Sequence, residues 1–206
     1  ASGYTDVDSL GSAQDAFVTT WYDQAGSNDA TQTTAANQPK IVSSGALVTE
    51  NGKVALDFDG TSDFFNSSLS AGISQPNSFV FVNKYKGSGA LDLIDNYPSS
   101  PRQLVHESSG VYALFAGSGG ASSNAVDSNQ NIIFATFNGS SSELSLNGNN
   151  DTGLNPGTAG FASTFEIGRS FGPVFSNYKY QELIIYNTDK SALRTAIEGN
   201  INGRFS

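Results

Sequence analysis

Residues 46–59 have the sequence ALVTENGKVALDFD, in which two apolar runs flank Asn51-Gly52. An Asn-Gly pair favours a type I′ turn, because both central residues of that turn need a positive φ angle. After the turn, Val54, Leu56 and Phe58 alternate with smaller or acidic residues, which is the period of a strand with one buried face. This segment therefore predicts a β-hairpin.

Comparable apolar runs recur along the chain, and turn residues separate them. Ser109-Gly110, Asn138-Gly139 and Asn147-Gly148 mark three of these turns. Strands at this spacing are typical of a sandwich or a barrel. The predicted strands cover residues 17–22, 46–50, 53–59, 79–84, 91–94, 104–107, 112–115, 132–137, 143–146, 165–168 and 180–186.

One helix is predicted, close to the C-terminus. Leu193, Ile197 and Ile201 follow helical spacing, and Thr188 or Asp189 provides the cap. We therefore predict an all-β fold, a two-sheet antiparallel jelly-roll sandwich with one short C-terminal helix. Residues 1–206 are expected to form a single domain, because no linker or repeat interrupts them. The core should contain Trp21, Val54, Leu56, Phe58, Phe79, Phe81, Ile132, Phe134, Ile167 and Ile185.

The composition excludes several classes of protein. The 206 residues carry a net charge of −9 and only 10 scattered Lys and Arg residues, which disfavours binding to nucleic acid or to an anionic membrane surface. The absence of Cys excludes disulfides and thiolate metal sites. No apolar run approaches the roughly 18 residues of a membrane span, so no membrane insertion is expected. Neutral sugars, divalent cations or proteins remain as partners, and the Ser/Thr/Asn-rich composition favours an extracellular, cell-surface or virion location.

Five segments carry a family resemblance: WYDQAG (21–26), NQPKIV (37–42), LDFDG (56–60), FEIGR (165–169) and ELIIYN (182–187). They resemble laminin G-like modules of the concanavalin A-like lectin and glucanase class. Such modules look related to the arabinofuranosidase B catalytic domain and occur in bacterial surface proteins and phage fibre proteins. The resemblance implies a concanavalin A-like sandwich and leaves the function open, since this fold hosts lectins, glycosidases, lyases and structural modules.

The signatures of catalysis are weak. A glycosidase needs two carboxyl groups, one of them protonated, and the strand motif Glu-x-Asp-x-x-Glu that the resemblance would imply for a glucanase is absent. Residues 168–172 match G-x-S-x-G, but that motif needs a following helix and a later His, whereas His106 precedes Ser170. We therefore expect no catalysis, and a glycosidase acting on polysaccharide is the less favoured alternative.

Asp57, Asp59 and Asp63 form a D-x-D-x-x-x-D pattern at the end of a predicted strand. Their carboxylate oxygens are weak candidates for a Ca²⁺ site. Turn chemistry is the favoured interpretation, because Asp side chains accept hydrogen bonds from nearby backbone N–H groups. We expect no cofactor, with Ca²⁺ as the alternative, and we expect folding to be independent of Ca²⁺.

The candidate ligand-binding residues lie between positions 96 and 115. Sugar sites commonly combine an aromatic platform with amide or guanidinium groups that bond hydroxyls, and Arg donates several hydrogen bonds in a fixed fork. Five residues of this stretch fit that chemistry: Asn96, Tyr97, Arg102, His106 and Tyr112. The alternative is that Tyr112 packs in the core and the others are solvated.

These observations predict a non-catalytic carbohydrate-binding or adhesive module of a larger surface or fibre protein. Its partners would be a polysaccharide or cell-surface glycan and other domains of the parent protein. The alternative is a structural decoration domain that binds no sugar. Replacing Arg102 or Tyr97 by Ala should weaken glycan binding by roughly 1–3 kcal/mol and leave the fold intact.

Overall fold

The computed structural model describes residues 13–87, 92–99, 102–172 and 174–205. Within them, one α-helix, α1 (Arg194–Phe205), follows a 3₁₀ turn at Ser191–Leu193, and a second 3₁₀ turn covers Ala35–Asn37. The described helices are too short and too polar to cross a membrane. In chain order the strands are β1 (Ala16–Phe17), β2 (Thr20–Trp21), β3 (Ala30–Thr31), β4 (Lys40–Ser43), β5 (Ala46–Leu47), β6 (Thr49–Glu50), β7 (Lys53–Val54), β8 (Leu56–Asp57), β9 (Phe65–Ser68), β10 (Asn77–Tyr85), β11 (Asp92–Asp95), β12 (Leu104–Ser108), β13 (Val111–Phe115), β14 (Gly119–Ala125), β15 (Gln130–Phe137), β16 (Ser142–Leu146), β17 (Asn149–Leu154), β18 (Thr164–Ile167), β19 (Arg169–Ser170), β20 (Val174–Phe175) and β21 (Tyr178–Tyr186).

The strands form two large antiparallel sheets. Sheet A has the order β1-β4-β8-β21-β10-β15-β16-β17, with β5 paired to β4, and sheet B has the order β14-β13-β12-β11-β18-β9-β3-β2. Two small hairpins, β6–β7 and β19–β20, pair separately. Several neighbours are distant in the chain, such as β21 between β8 and β10, as expected for a jelly roll. The predicted two-sheet sandwich with a short C-terminal helix is confirmed.

The two sheets enclose a core rich in aromatic rings. Phe58 stacks on Tyr178 at 4.9 Å between ring centres and meets Phe65 edge-on at 5.9 Å. Burying each such side chain stabilises the fold by about 1.5–3 kcal/mol, and each favourable ring pair adds about 0.5–1.5 kcal/mol. The predicted core residues that are buried are Leu56, Phe58, Phe79, Phe81, Ile132, Phe134 and Ile167.

Strand β10 is buried on both of its faces. Phe79 and Phe81 face the sandwich core, whereas Val80 and Val82 belong to a second apolar cluster with Ile201 of α1. The apolar alternation on both faces of residues 79–84 therefore predicted a central strand correctly. Helix α1 packs on the outer face of sheet A, and among the described residues no helix covers the outer face of sheet B.

Some core predictions were wrong. Val54 is 45% exposed, because the β6–β7 hairpin pairs separately from sheet A, and the neighbouring Ala55 is buried instead. Trp21 and Ile185 are half-buried at the margin of the core. The predicted strand 17–22 is two short strands, since β1 pairs within sheet A and β2 within sheet B. The predicted strand start at Leu91 lies outside the described residues.

The predicted turns and the helix position fit the structure. Asn51 and Gly52 have φ angles of +47° and +72°, as a type I′ turn requires. Asp189 accepts a hydrogen bond from the backbone N–H of Ser191 at 2.8 Å, and α1 begins at Arg194, later than the capping pattern indicated.

Several polar strands were missed by the sequence analysis. Strand β14 has the sequence GGASSNA and β17 has the sequence NNDTGL, so neither shows an apolar alternation. In β14 the inward positions are occupied by small polar side chains, Ser122 and Asn124. These strands are held by backbone pairing to their neighbours, which a pattern of side-chain hydrophobicity does not reveal.

Candidate functional site

The outer face of sheet B carries a row of polar residues. Thr31, Asn66, Glu166 and Asp95 are successive cross-strand partners on β3, β9, β18 and β11. Directly paired residues project to the same face of a sheet, and the alternate position Phe65 is buried in the core. The row therefore faces away from the core and brings together residues that lie up to 135 positions apart in the chain (166 − 31).

Arg102 covers the carboxylate of Asp95 in this row. Its Nε donates to Oδ1 at 2.8 Å and its Nη2 donates to Oδ2 at 2.5 Å, while the Asp95 side chain is fully buried. The hydrogen bond with Asp95 raises the pKa of Arg102. Removing the guanidinium would leave a buried carboxylate unpaired, at a cost of about 3–5 kcal/mol. Arg102 therefore has a structural role, and the expectation that Arg102→Ala would leave the fold intact is corrected.

An aromatic surface surrounds the same guanidinium. The Cζ atom of Arg102 lies 5.9 Å from the ring centre of Tyr97 and 5.5 Å from that of Phe115, distances suited to cation–π attraction. Tyr97 in turn meets Phe171 edge-on at 4.8 Å. Tyr97 is 37% exposed and Phe171 is 58% exposed. Tyr97, which contacts Arg102, and Phe171, which contacts Tyr97, therefore both reach solvent.

A second guanidinium fork lies beside the first. Arg169 donates from Nε to Oε2 of Glu166 at 2.7 Å and from Nη2 to Oε1, and its guanidinium stacks on the Phe64 ring at 3.6 Å. Glu166 and Asp95 are direct cross-strand partners. Both carboxylates of the row are thus engaged by planar forks, the strongest geometry for a carboxylate–cation pair.

A cavity of about 350 Å³ adjoins Tyr97, and we call it the Tyr97 pocket. Its volume falls within the range of roughly 300–1,000 Å³ that is usual for small-ligand sites. An aromatic ring, an amide, two hydroxyls and two carboxylates meet in it, a set of groups suited to binding a polyhydroxylated molecule. These groups belong to Tyr97, Asn66, Thr31, Thr164, Asp29 and Glu166.

His106 belongs to a neighbouring, largely buried cluster. It is the cross-strand partner of Asp92, whose Oδ2 accepts a hydrogen bond from Ser170 Oγ at 2.8 Å. Burial raises the pKa of Asp92 and lowers the pKa of His106. Ser170 lies in strand β19 of a hairpin and bonds to Asp92. The G-x-S-x-G match at 168–172 therefore lacks the strand–turn–helix geometry of a serine hydrolase.

The other two predicted binding residues are turned away from the ligand-accessible surface. Asn96 is fully buried, and its Oδ1 accepts a hydrogen bond from the backbone N–H of Gln103 at 2.6 Å. Tyr112 is fully buried in the core, and burial raises its pKa. Core packing, the alternative considered for Tyr112, therefore holds. Of the five predicted residues, Tyr97 and Arg102 lie together at the surface.

The three side chains of the acidic triplet, Asp57, Asp59 and Asp63, already have partners within the protein. Asp57 pairs with Lys86 at 2.6 Å, and Asp59 accepts hydrogen bonds from the backbone N–H groups of Thr61, Ser62 and Asp63. Although burial opposes it, the hydrogen bond from the Thr61 hydroxyl and then these backbone hydrogen bonds hold the pKa of Asp59 well below its usual value. Burial, and then the charge of Asp59, raise the pKa of Asp63 to about 7. In the described part of the chain no group of three or more His, Cys, Asp or Glu side chains is arranged to hold a metal ion.

Several polar residues of the Tyr97 pocket were missed by the sequence analysis. Thr31, Asn66, Thr164 and Glu166 stand on three strands that are far apart in the chain. The sequence carried one signal for them, the alternation of side chains along each strand. Asn66 follows the apolar, buried Phe65, and Glu166 follows the apolar, buried Phe165. This alternation tells which face of its strand each residue occupies, but only the pairing of the strands shows that these residues meet.

Comparison with known proteins supports the fold. No family model and no curated protein matches the chain. Among solved structures, the chain is similar to Trypanosoma rangeli sialidase in complex with the inhibitor DANA, at 15% identity and a TM-score of 0.57, over 87% of this chain and 31% of that one. It is also similar to a SAP-like pentraxin from Limulus polyphemus, at 9% identity and a TM-score of 0.53, over 72% of this chain and 82% of that one.

A third similar structure is botulinum neurotoxin type C, whose cell entry depends on interaction with two ganglioside molecules. It matches at 10% identity and a TM-score of 0.52, over 89% of this chain and 50% of that one. The chain thus spans about a third of the sialidase and half of the neurotoxin chain. At these identities the similarity establishes the two-sheet β-sandwich fold and nothing more specific.

Proposed function

We propose that this chain is a carbohydrate-binding module that holds a glycan at the Tyr97 pocket without hydrolysing it. The observation that carries the proposal is the exposed Tyr97 ring standing with the Asn66 amide and the Glu166 carboxylate on the outer face of a lectin-like sandwich. The ring offers an apolar face to a pyranose, the amide donates and accepts hydrogen bonds, and the carboxylate accepts them from hydroxyls. The sialic acid complex of the sialidase and the ganglioside interaction of the neurotoxin lend support.

The arrangement of the carboxyl groups favours binding over hydrolysis. A glycosidase requires a protonated carboxyl group that donates to the leaving oxygen. Both oxygens of Glu166 already accept hydrogen bonds from Arg169, so this carboxylate is engaged in an ion pair on both oxygens. Burial raises the pKa of Asp92, but this residue is only 8% exposed and its carboxylate accepts a hydrogen bond from the Ser170 hydroxyl, so a glycan does not reach it. Neither Glu166 nor Asp92 is therefore placed as a general acid, and the other carboxylate of the pocket, Asp29, has one oxygen held by the backbone N–H of Asp23.

We further propose an extracellular setting, on a cell surface or a virion, as an adhesive part of a larger protein. The proposal rests on composition and on the family resemblance. A structural decoration domain that binds no sugar is the second candidate, and the binding experiment below separates the two.

The test is a glycan array followed by calorimetry on the glycan that binds best. Tyr97→Ala and Asn66→Ala should each weaken binding by roughly 1–3 kcal/mol, the usual loss for a removed polar or aromatic contact in a desolvated site. Phe17→Ala is the matched control, because Phe17 is a 48% exposed ring on β1 of the other sheet. Equal binding by the parent and both pocket variants would place the site elsewhere, and no binding by the parent would favour the structural decoration domain.

Incubation with the same glycans tests the absence of catalysis. Release of new reducing ends by the parent protein, lost in Glu166→Gln, would overturn the non-catalytic part of the proposal. Unchanged glycans together with measurable binding would support it.

A further inference from the structure

The described lining of the Tyr97 pocket carries only negative formal charges. Asp29 and Glu166 contribute carboxylates, and no Lys, Arg or His side chain lies among the described lining residues. Asp29 is fixed in position, because its Oδ1 accepts the backbone N–H of Asp23 at 2.9 Å. The chain as a whole carries a net charge of −9, so the wider field has the same sign.

The two nearby arginines do not reverse this sign. Arg102 directs Nε and Nη2 at Asp95, and Arg169 directs the same two nitrogens at Glu166. Recognition of a sugar carboxylate usually uses such a planar fork in the bidentate geometry. Here both forks are already engaged by the protein's own carboxylates. A sugar carboxylate meets only the remaining N–H groups of guanidinium groups whose charge Asp95 or Glu166 already balances, so it gains less than it would from a free fork.

We infer that the Tyr97 pocket selects neutral glycans and excludes sugars that carry a carboxylate, an inference that rests on the proposed function. The hydroxyls of a neutral hexose donate hydrogen bonds to the carboxylates of Asp29 and Glu166, and its apolar ring face packs on Tyr97. A sialic acid or uronic acid in the same position brings a negative charge beside Asp29, for which the described residues show no ion pair, and beside Glu166, whose charge Arg169 already offsets. This specificity is opposite to that of the sialidase, which is known in complex with sialic acid.

The experiment compares matched pairs of glycans on one array and then by calorimetry. Each pair has the same oligosaccharide core, once neutral and once capped with sialic acid, and a second set replaces one terminal hexose by its uronic acid. At about 0.15 M salt the neutral member should bind at least about threefold more tightly, because one like-charge contact with Asp29 at roughly 4 Å is worth about fivefold at the dielectric constant of water and salt screening reduces it. Lower salt should widen the difference.

A charge-removing variant tests the cause. Asp29→Asn keeps the oxygen that accepts the Asp23 N–H, so the loop is preserved while one negative charge is lost. The ratio of neutral to acidic binding should fall at least threefold in this variant. Asp127→Asn is the control, because Asp127 is an exposed carboxylate on the turn between β14 and β15, away from the pocket lining, and its ratio should equal that of the parent.

The outcomes separate this inference from the proposed function. Acidic members that bind as tightly as neutral ones, or more tightly, overturn the inference and leave the carbohydrate-binding function standing. An unchanged ratio in Asp29→Asn would also count against it. If neither member of any pair binds, the proposed function fails, and the inference fails with it.

Discussion

Replacing Asp63 by Asn should stabilise the protein at pH 8 and change its stability much less at pH 4. The Asp63 side chain is only 6% exposed, and its Oδ2 accepts the backbone N–H of Asp59 at 3.0 Å. An Asn side chain keeps an oxygen that accepts this hydrogen bond. It removes a negative charge that lies close to the charge of Asp59.

The magnitude follows from proton linkage. Burial, and secondly the charge of Asp59, raise the pKa of Asp63 from 3.8 to about 7. The folded protein therefore holds this proton more tightly than the unfolded chain, so the free energy of unfolding falls as the pH rises from about 4 to about 7. The full rise in the pKa of Asp63 corresponds to a loss of roughly 4 kcal/mol in the free energy of unfolding, at about 1.36 kcal/mol per pKa unit. Solvent screening in a loop at the protein surface reduces the expected gain of Asp63→Asn to about 1–2 kcal/mol at pH 8.

Urea denaturation at pH 4 and pH 8, followed by the fluorescence of Trp21, measures this gain. Asp127→Asn is the control of opposite sign, because hydrogen bonds from Asn131 and Asn129 outweigh burial and lower the pKa of Asp127. That variant should lose stability at pH 8. The reasoning is refuted if Asp63→Asn gains equally at both pH values, or if it loses stability at pH 8.

Three further predictions concern folding. Arg102→Ala should lower the free energy of unfolding by about 3–5 kcal/mol, because Asp95 stays buried without its partner. A second substitution, Asp95→Asn, should recover part of the loss, and chemical denaturation checks both. Gly157→Ala should cost more than about 2 kcal/mol in the same assay, because its Cβ would lie 2.2 Å from the carbonyl oxygen of Ala116 at a φ of +99°. Gly148→Ala, with a φ of +89° and open space around it, should cost only about 1 kcal/mol. EDTA should shift the melting temperature by no more than a few degrees; a fall of more than about 10 °C would indicate a structural metal ion at the acidic triplet.

The sequence predicted the strands whose side chains alternate and the turns that need special residues. Phe79 to Lys84 identified the central strand β10, and Asn51-Gly52 identified the β6–β7 hairpin, because both signals are local. Strands such as β14 and β17 were not predicted, because they are held by backbone hydrogen bonds that almost any residue can make. Val54 was predicted to be buried but is exposed, because the alternation along a strand does not show which strand of the sandwich it pairs with.

The candidate site was only partly predictable for the same reason. Tyr97 and Arg102 were identified by chemical type within one short stretch of chain. Tyr112 was misassigned, because a tyrosine in a strand suits either face and the register of β13 turns it into the core. The partner of Arg102 is Asp95, and the sequence alone gave no reason to choose that carboxylate over any other.

The sequence by itself determined the all-β class, the turn positions, the negative charge and the absence of a basic surface, because composition and period-two alternation act locally. The tertiary structure alone decided that Asn66, Glu166 and Asp95 stand in one row and that both arginines are already engaged. Strand order and register place these residues together, and both depend on the packing of the whole sandwich. Binding chemistry on this fold is therefore assembled from residues that no local pattern connects.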